Sequence, residues 1–287
     1  MNRRSFMLAA ALIALPAHAE RYARGVLWRV ARGKATNYLF GTIHDADPRV
    51  VELPAAAAKA FASSRTLMVE FLPDAYARGR FTEAALFTDQ QTLEEKIGGD
   101  DFARVVEELA PTGLERPVIE KLKPWGALIN LRHAAADAPE SLDMRLVGQA
   151  RARRLMVLQM EGVEEQIFAF DECPMDTQVA LLKHSLAHRD ELVALEDETI
   201  RAYLARDLAK IWRLREQFIA RYPEVATHQA VMTKRLLYDR SVVMAYRMQR
   251  ELRRGDTFVA VGALHLYGEK GVLALLQEDG YRATPVY

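Results

Sequence analysis

Short apolar runs bounded by glycine, proline or polar residues predict six β-strands, which lie mostly toward the two ends of the chain. The first two runs are separated by a turn at residues 33–36, and we expect them to form a hairpin. The predicted strands span residues 25–32, 37–44, 66–72, 155–158, 257–261 and 281–287.

The long middle of the chain has the periodicity of amphipathic helices. From residue 175 to residue 253 the pattern is helical almost throughout, with Pro223 as the clearest break. Thr92 and Glu95 have the spacing of a capping box at the start of a shorter helix. Apolar residues recur at three-to-four spacing, with charged residues between them, at Leu204, Leu208, Ile211 and Leu214. Further helices are predicted at residues 55–61, 101–109, 124–136, 142–152, 161–170 and 268–277.

Strands at both ends with helices between them predict a mixed α/β (α+β) fold. In this arrangement the N- and C-terminal segments lie side by side in one central mixed sheet, and the helices form a large insertion. No linker rich in Gly, Ser or Pro divides the chain, so we expect residues 20–287 to form a single domain.

The first 19 residues have the composition of a secretory signal peptide. A basic start with Arg3 and Arg4 precedes an apolar segment at residues 6–15, and Ala17 and Ala19 resemble a cleavage site. The two arginines fit a twin-arginine export signal and, equally, an ordinary Sec signal. Either route predicts a periplasmic or secreted protein.

Composition argues against two classes of interaction. The chain has 39 basic and 39 acidic residues, and removal of Arg3 and Arg4 leaves 37 basic residues, so nucleic-acid binding is not expected. No apolar run of transmembrane length follows the signal segment, so we expect no membrane span in the mature chain.

Cys173 is the single cysteine, and the neighbouring Asp171 and Glu172 would raise the pKa of its thiol, which argues against a nucleophilic role.

The two ends of the chain carry the same short pattern, in which an apolar strand is followed by Gly, two further residues and His. The first copy ends at His44 and the second ends at His265. These histidines are 221 residues apart in the sequence, so they can meet only if their strands are neighbours in the fold. Converging imidazoles are typical of a metal site or an acid–base pair.

Glu70 is a third candidate because it lies in a predicted strand that is apolar on both faces. Such strands are normally buried, and a buried carboxylate must be paired, protonated or bound to a cation. One interpretation is a structural ion pair with an arginine. The other places Glu70 beside His44 and His265, since two imidazoles and one carboxylate form a common open metal site. His184 and His188 share one helix face, but the glutamate of a zinc-peptidase motif is absent, so a solvated face explains them better.

With these residues in place, the chain resembles the TraB/PrgY/GumN family, which includes the TIKI membrane metalloproteases. The resemblance is carried by residues 258–281, 41–44 and 68–70. Family members often have Arg-Asn near the end of the last long helix, where this chain has Arg240 and Ser241, and the TIKI membrane anchor is missing. Weaker matches lie at Lys123-Pro124-Trp125, at Leu142-Asp143 with Ala150, and at Glu161 with Glu165-Gln166.

The resemblance implies a divalent-cation-dependent hydrolase, similar to a peptidase, that uses Mn, Co or Zn. His44, His265 and Glu70 would hold the ion, and Glu70 would be either the third ligand or the base that deprotonates the metal-bound water. Arg240 would steady an oxyanion or pair with Glu70. The expected substrate is a peptide or a small ester or amide. Because a related fold also includes esterases and a haem-binding lipoprotein, the alternative is a non-catalytic protein that binds or sequesters a peptide, haem or metal.

Overall fold

The computed structural model describes residues 21–43, 47–132 and 141–287. Its centre is a six-stranded sheet with the strand order β4-β3-β5-β2-β1-β6. All six predicted strands are present, with their ends moved by a few residues. They are β1 (Leu27–Arg32), β2 (Ala35–Thr42), β3 (Thr66–Val69), β4 (Met156–Gln159), β5 (Thr257–Gly262) and β6 (Arg282–Pro285).

The sheet is mixed, and one of its two middle strands comes from near the end of the chain. β5 pairs in parallel with both β2 and β3, and β4 extends the parallel part beyond β3. β1 forms an antiparallel hairpin with β2, and β6 adds an antiparallel strand to β1. The prediction that the N- and C-terminal segments build one mixed sheet is therefore confirmed.

All six residues of β5 are buried, which explains its interior position in the sheet. The buried amide of Asn37, on β2, fixes β5 in place. Its Nδ2 donates to the Leu252 carbonyl at 2.9 Å, and its Oδ1 accepts from the backbone N–H of Thr257 at 3.2 Å. One side chain thus joins β2, the start of β5 and the helix that precedes it.

Helices make up most of the remaining described chain, which confirms an α/β fold with a large helical content. The helix Ala75–Ala84 was not predicted, because Ala77 is its only buried residue and it lacks an apolar stripe. The helices are Ala55–Ala62, Ala75–Ala84, Leu93–Ile97, Gly99–Leu109, Arg116–Lys121, Pro124–Arg132, Leu142–Ala152, Val163–Asp171, Met175–Ala187, Arg189–Leu204, Leu208–Arg221, Pro223–Thr233, Arg240–Arg254, Ala263–Leu266 and Val272–Glu278.

The region from 175 to 253 has more breaks than its sequence pattern predicts. Pro223 begins a new helix, so the predicted break there is confirmed. A further helix begins after Asp207, whose side chain accepts a hydrogen bond from the backbone N–H of Lys210 at 2.8 Å. Residues Lys234–Asp239 form a π-helical turn directly before the last long helix. Because a π turn holds an extra residue, it changes which side chains face the sheet.

Two large apolar clusters account for most of the core. The first is built on the sheet and includes Trp28, Phe40 and Phe258. The second lies among the helices and includes Phe102 and Trp125. The helical region therefore has an apolar interior of its own beside that of the sheet.

Some predictions concern residues outside the described ranges, namely the signal peptide at residues 1–19 and the predicted ligand His44. Residues 133–140, in which the helix predicted for 124–136 ends, also lie outside them. Within the ranges that the structure describes, no helix is both long and apolar enough to cross a membrane.

Candidate functional site

Three neighbouring parallel strands end at the same edge of the sheet, and most of the predicted site residues follow these ends. In the strand register Val69 of β3 is paired with Ala260 of β5, and Thr42 of β2 is paired with Gly262 of β5. The strands that lead into the two Gly-x-x-His motifs are therefore adjacent. The convergence expected from the repeated motif is confirmed for the strands themselves.

Glu70 follows β3 directly and is buried, with 7 % of its surface exposed. Its Oε2 accepts a hydrogen bond from an Arg240 guanidinium nitrogen at 2.6 Å. Its Oε1 accepts from the backbone N–H of Gly262 at 2.5 Å and lies 3.9 Å from Nε2 of His265. The predicted pairing of Glu70 with an arginine is present, and the same carboxylate faces the second motif.

Arg240 binds two carboxylates at once. Its terminal nitrogen lies 2.7 Å from Oε2 of Glu161, and its Nε donates to the same carboxylate at 3.0 Å. Burial raises the pKa of Glu161, and Arg240 opposes that shift. Burial would lower the pKa of Arg240, but its contacts with Glu161 and Glu70 outweigh this and raise it. With both carboxylates ionised, the group carries more negative than positive charge.

His265 is buried, and its ring contacts a residue of the helix Arg240–Arg254. Its Nδ1 lies 2.9 Å from the Ser241 hydroxyl, and both residues are almost fully buried. Because Nδ1 is engaged by Ser241, Nε2 is the nitrogen on the Glu70 side of the ring. Metal-binding histidines commonly have this arrangement, with one nitrogen toward the ion and the other hydrogen-bonded.

The two motifs also pack directly against each other. A Cβ on Gly41 would lie 2.8 Å from Cδ1 of Leu266 and 3.1 Å from Cα of Ala263, so only glycine fits there. The carbonyl of Gly41 accepts a hydrogen bond from the buried Tyr203 hydroxyl at 2.8 Å. Glycine in the first motif is thus explained by the close approach of the second.

A further carboxylate lies at the same edge. Asp143 is buried, and its Oδ1 accepts from the Thr42 hydroxyl at 2.9 Å, at the last residue of β2. Together with Glu70 and Glu161, it makes this edge rich in buried acidic groups.

Glu70, Arg240 and His265 are thus brought together, while His44 lies outside the described residues. Within the described ranges no three His, Cys, Asp or Glu side chains form a group that could hold a metal ion. An imidazole nitrogen and a carboxylate oxygen are donors of the kind that bind such a cation. Two donors of a tetrahedral ion, each bound at about 2 Å, lie about 3.3 Å apart, so the 3.9 Å between Nε2 of His265 and Oε1 of Glu70 would have to shorten slightly for both to bind one ion.

Two other candidates from the sequence are placed elsewhere. His184 is buried rather than on the predicted solvated face, and it packs against Phe218 and Tyr222. Burial raises the pKa of the Cys173 thiol, which confirms the expected direction, and its Sγ lies 3.3 Å from the sulfur of Met232. The expected cause was wrong, because the shift comes from burial and, to a smaller extent, from Asp176 rather than from Asp171 and Glu172.

Sequence reasoning did not assign Glu161 or Ser241 to the site. Glu161 could have been found, because it follows β4 closely, much as Glu70 follows the adjacent parallel strand β3. Ser241 was noted only as a departure from the Arg-Asn pattern, and its contact with His265 depends on how the last long helix is rotated about its axis.

Comparison with known proteins gives a consistent result over nearly the whole chain. The model of the TraB/PrgY/gumN family matches residues 26–285. The uncharacterized protein YbaP of Shigella flexneri is 25 % identical over 251 residues, which cover 85 % of this chain and 89 % of that protein. YbaP of Escherichia coli (strain K12) is 25 % identical over 246 residues, covering 84 % and 87 % respectively. No solved structure matches the chain.

Proposed function

The chain belongs to the TraB/PrgY/gumN family, and from that premise we propose that it is a periplasmic, divalent-metal-dependent hydrolase of the peptidase type. The observation that carries the proposal is the buried pair of Glu70 and His265, whose Oε1 and Nε2 atoms lie 3.9 Å apart at the shared edge of three parallel strands. Open parallel sheets commonly bind ligands at this edge.

His265, Glu70 and His44 are the residues that would hold the ion, and Mn, Co and Zn are the candidate cations. Such an ion lowers the pKa of a bound water and polarises a carbonyl group, which is the chemistry that hydrolysis of a peptide or a small ester or amide requires. Glu70 has a second role open to it as the base that takes the proton of the attacking water.

Arg240 supports this chemistry by fixing the Glu70 carboxylate. Its guanidinium lies within 2.7 Å of both Glu70 and Glu161, so it is already engaged in two ion pairs. Held in this way, Glu70 keeps its Oε1 turned toward His265. Arg240 therefore acts by positioning Glu70, and stabilisation of an oxyanion would require it to leave one of these carboxylates.

Metal content and hydrolysis, measured together, test the proposal. The protein would be purified without a metal-binding tag, and its bound metals measured by elemental analysis. Hydrolysis of fluorogenic peptides and of p-nitrophenyl esters would be followed with EDTA and after addition of Mn²⁺, Co²⁺ or Zn²⁺. We expect one ion per chain and activity that EDTA abolishes and one of these ions restores.

Variants separate the site from general effects on folding. The His44→Ala/His265→Ala variant should lose both the ion and activity, and Glu70→Gln should lose most activity while remaining folded. His228→Ala is the matched control, because His228 bonds Thr177 within the helical region. Activity that survives EDTA and the double substitution would contradict the proposal. Stoichiometric binding of a peptide, haem or metal without turnover would instead favour the alternative, a sequestering protein.

A further inference from the structure

Trp212 differs from the other two tryptophans of the chain, because it is partly exposed whereas Trp28 and Trp125 are fully buried. Its indole stacks on the ring of Tyr238, which is also partly exposed, with centroids 6.1 Å apart and 30° between the ring planes. Neither residue belongs to an apolar cluster within the part of the chain that the structure describes. Partly exposed aromatic side chains of this kind are typical of ligand sites.

This aromatic pair lies next to the segment that contains His265. Trp212 is on the helix Leu208–Arg221, and Tyr238 is in the π turn Lys234–Asp239. Both of these elements pack against the short helix to which His265 belongs. The pair is therefore part of the wall beside the candidate site.

Tyr267 extends the pair toward the candidate site. Its ring centroid lies 6.4 Å from that of Trp212, with 58° between the ring planes. One residue separates Tyr267 from His265 along the chain, and one separates Tyr238 from Arg240. Trp212, Tyr238 and Tyr267 together form an aromatic cluster that is continuous with the candidate site.

Charged side chains hold the rings of the aromatic cluster in place. The indole N–H of Trp212 donates to Oε1 of Glu216 at 2.7 Å, which fixes the orientation of the ring. The guanidinium carbon of Arg215 lies 5.6 Å from the centre of the Trp212 ring, and Nζ of Lys270 lies 5.2 Å from the centre of the Tyr238 ring. The rings are thus oriented before a ligand arrives, which lowers the entropic cost of binding.

The charge distribution of the aromatic cluster suits another aromatic ring. Stacking and the overlying cations occupy ring faces, so ring edges, which carry partial positive charge, are what remains for a ligand. Positive edges and cations complement the negative face of an incoming aromatic side chain. Glu216 and Glu269 also lie near Tyr238. These two acids balance the two cations, which favours an uncharged aromatic side chain over an acidic one.

We propose that the aromatic cluster is a substrate subsite that binds a Phe, Tyr or Trp side chain of a peptide, next to the bond that is cleaved beside His265. The position of that bond rests on the proposed function, whereas binding of an aromatic peptide concerns the protein alone. A carbohydrate is the less favoured occupant, because sugar rings mostly stack on an open aromatic face and stacking has taken such faces here.

Indole NMR tests binding without any need for activity. EDTA-treated protein labelled with ¹⁵N-tryptophan has one indole N–H for each of its three tryptophans, and the Trp212 signal is identified by its loss in Trp212→Phe. N-acetyl-phenylalaninamide should shift this signal with a Kd of about 1 mM, as expected for so small a ligand. The buried Trp28 and Trp125 are internal controls whose signals should not move. N-acetyl-alaninamide and N-acetylglucosamine at the same concentration should not move the Trp212 signal.

Hydrolysis of matched peptides tests the position of the subsite. The peptides would differ only in having Phe or Ala on one side of the scissile bond, and the Phe peptide should have an about 10- to 100-fold higher kcat/KM. Trp212→Leu and Tyr238→Leu should each lower this Phe/Ala ratio about 3- to 10-fold, because each removes one ring contact. Tyr246→Leu is the control, since Tyr246 is 79 % exposed on the helix Arg240–Arg254 and should leave the ratio unchanged.

The outcomes separate this inference from the proposed function. A Trp212 signal that N-acetyl-phenylalaninamide leaves in place, or that N-acetylglucosamine alone shifts, overturns the inference whatever the activity. A Phe/Ala ratio that is the same in the wild type and both Leu variants overturns the position beside the scissile bond. Absence of hydrolysis with every peptide overturns the proposed function, while the NMR titration still decides whether the aromatic cluster binds an aromatic side chain.

Discussion

The Arg240 guanidinium lies among buried carboxylates that sequence reasoning treated separately. It contacts Glu70 and Glu161 within 2.7 Å, and only 15 % of its own side chain is exposed. Loss of Arg240 would remove the positive charge that both of these buried carboxylates contact. The cost of removing one partner is therefore larger than the net value of the ion pairs themselves.

We expect Arg240→Ala to lower the free energy of unfolding by about 3–5 kcal/mol, the range found when one partner of a buried ion pair is removed. Urea unfolding at neutral pH would measure the loss. Arg201→Ala is the control, because Arg201 pairs with Asp197 on the helix Arg189–Leu204 and is 58 % exposed. That exposed pair should contribute less than about 1 kcal/mol. Equal losses in the two variants would contradict the buried-charge interpretation.

At the residue scale, sequence predicts those site residues whose chemistry conflicts with their surroundings. Glu70 in an apolar strand and a histidine after a strand and a glycine are such cases, and the structure brings Glu70 and His265 together. Ser241 cannot be found in this way, because a serine in a helix is chemically ordinary. Ser241 lies 24 residues before His265, so their contact depends on how the helix Arg240–Arg254 is oriented about its axis.

At the element scale, His184 and His188 lie at the end of one helix, and packing buries His184 although the sequence pattern predicts a solvent-exposed face. The i, i+4 spacing is correct and the rings lie together, with centroids 4.6 Å apart. However, His184 is also covered by Phe218 and Tyr222 from the helix Leu208–Arg221 and the turn after it. Its Nε2 has no hydrogen-bond partner within the described residues.

This environment predicts a loss of stability in acid. Burial, followed by the charge of His188, lowers the pKa of His184 below its usual value. The unfolded chain, with a histidine pKa of about 6.5, then binds protons more readily. The contribution of the buried, neutral His184 to the free energy of unfolding is therefore complete above about pH 6.5 and is lost as the pH falls below that value. Among the described residues, the titratable groups that face the ring are His188, Glu191, Tyr222 and Glu224, and Arg221 pairs with Glu191.

Urea unfolding from pH 8 to pH 5 would measure this dependence. The free energy of unfolding should fall more steeply in the wild type than in His184→Leu. That substitution removes the titrating group and puts an apolar side chain of similar size in its place. His228→Leu controls for the loss of a histidine as such. A steep fall that persists unchanged in His184→Leu would show that another group is responsible.

Element boundaries show a second limit of sequence patterns. All six strands were found because short apolar runs between glycines and prolines are distinctive. The helix Ala75–Ala84 was missed because it buries little, and the π turn Lys234–Asp239 cannot be seen in a pattern that reads as continuous helix. The pairing of Arg240 with Glu70 was predicted from the family resemblance, whereas the contact of Ser241 with His265, on the same helix start, escaped prediction.

At the scale of the whole molecule, the sheet and the helical region have separate apolar clusters. Trp28 belongs to the first and Trp125 to the second. Phe81 packs against Trp125 and also against the small cluster of Ala77, Val163 and Ile167. The partly buried Phe71, next to Glu70, packs against that same small cluster. That residues 20–287 form a single domain stays a prediction.

Coincident unfolding of the two clusters would test the single-domain prediction. One variant would keep only Trp28 (Trp125→Phe with Trp212→Phe), and another would keep only Trp125 (Trp28→Phe with Trp212→Phe). In each variant, we expect the tryptophan fluorescence and the circular dichroism to change with the same urea midpoint, because a cooperative domain unfolds as one unit. Separate midpoints within one variant would show that the helical insertion is an independent folding unit.

The interior position of β5 has a consequence for biosynthesis. Asn37 of β2 bonds to Thr257 of β5 across 220 residues, and β5 also separates β2 from β3. On the ribosome, β2 and β3 are complete long before the strand that joins them has been translated. Until then each has an open edge on which a nascent chain is prone to wrong pairing. We therefore expect polypeptides that terminate before residue 257 to aggregate or be degraded.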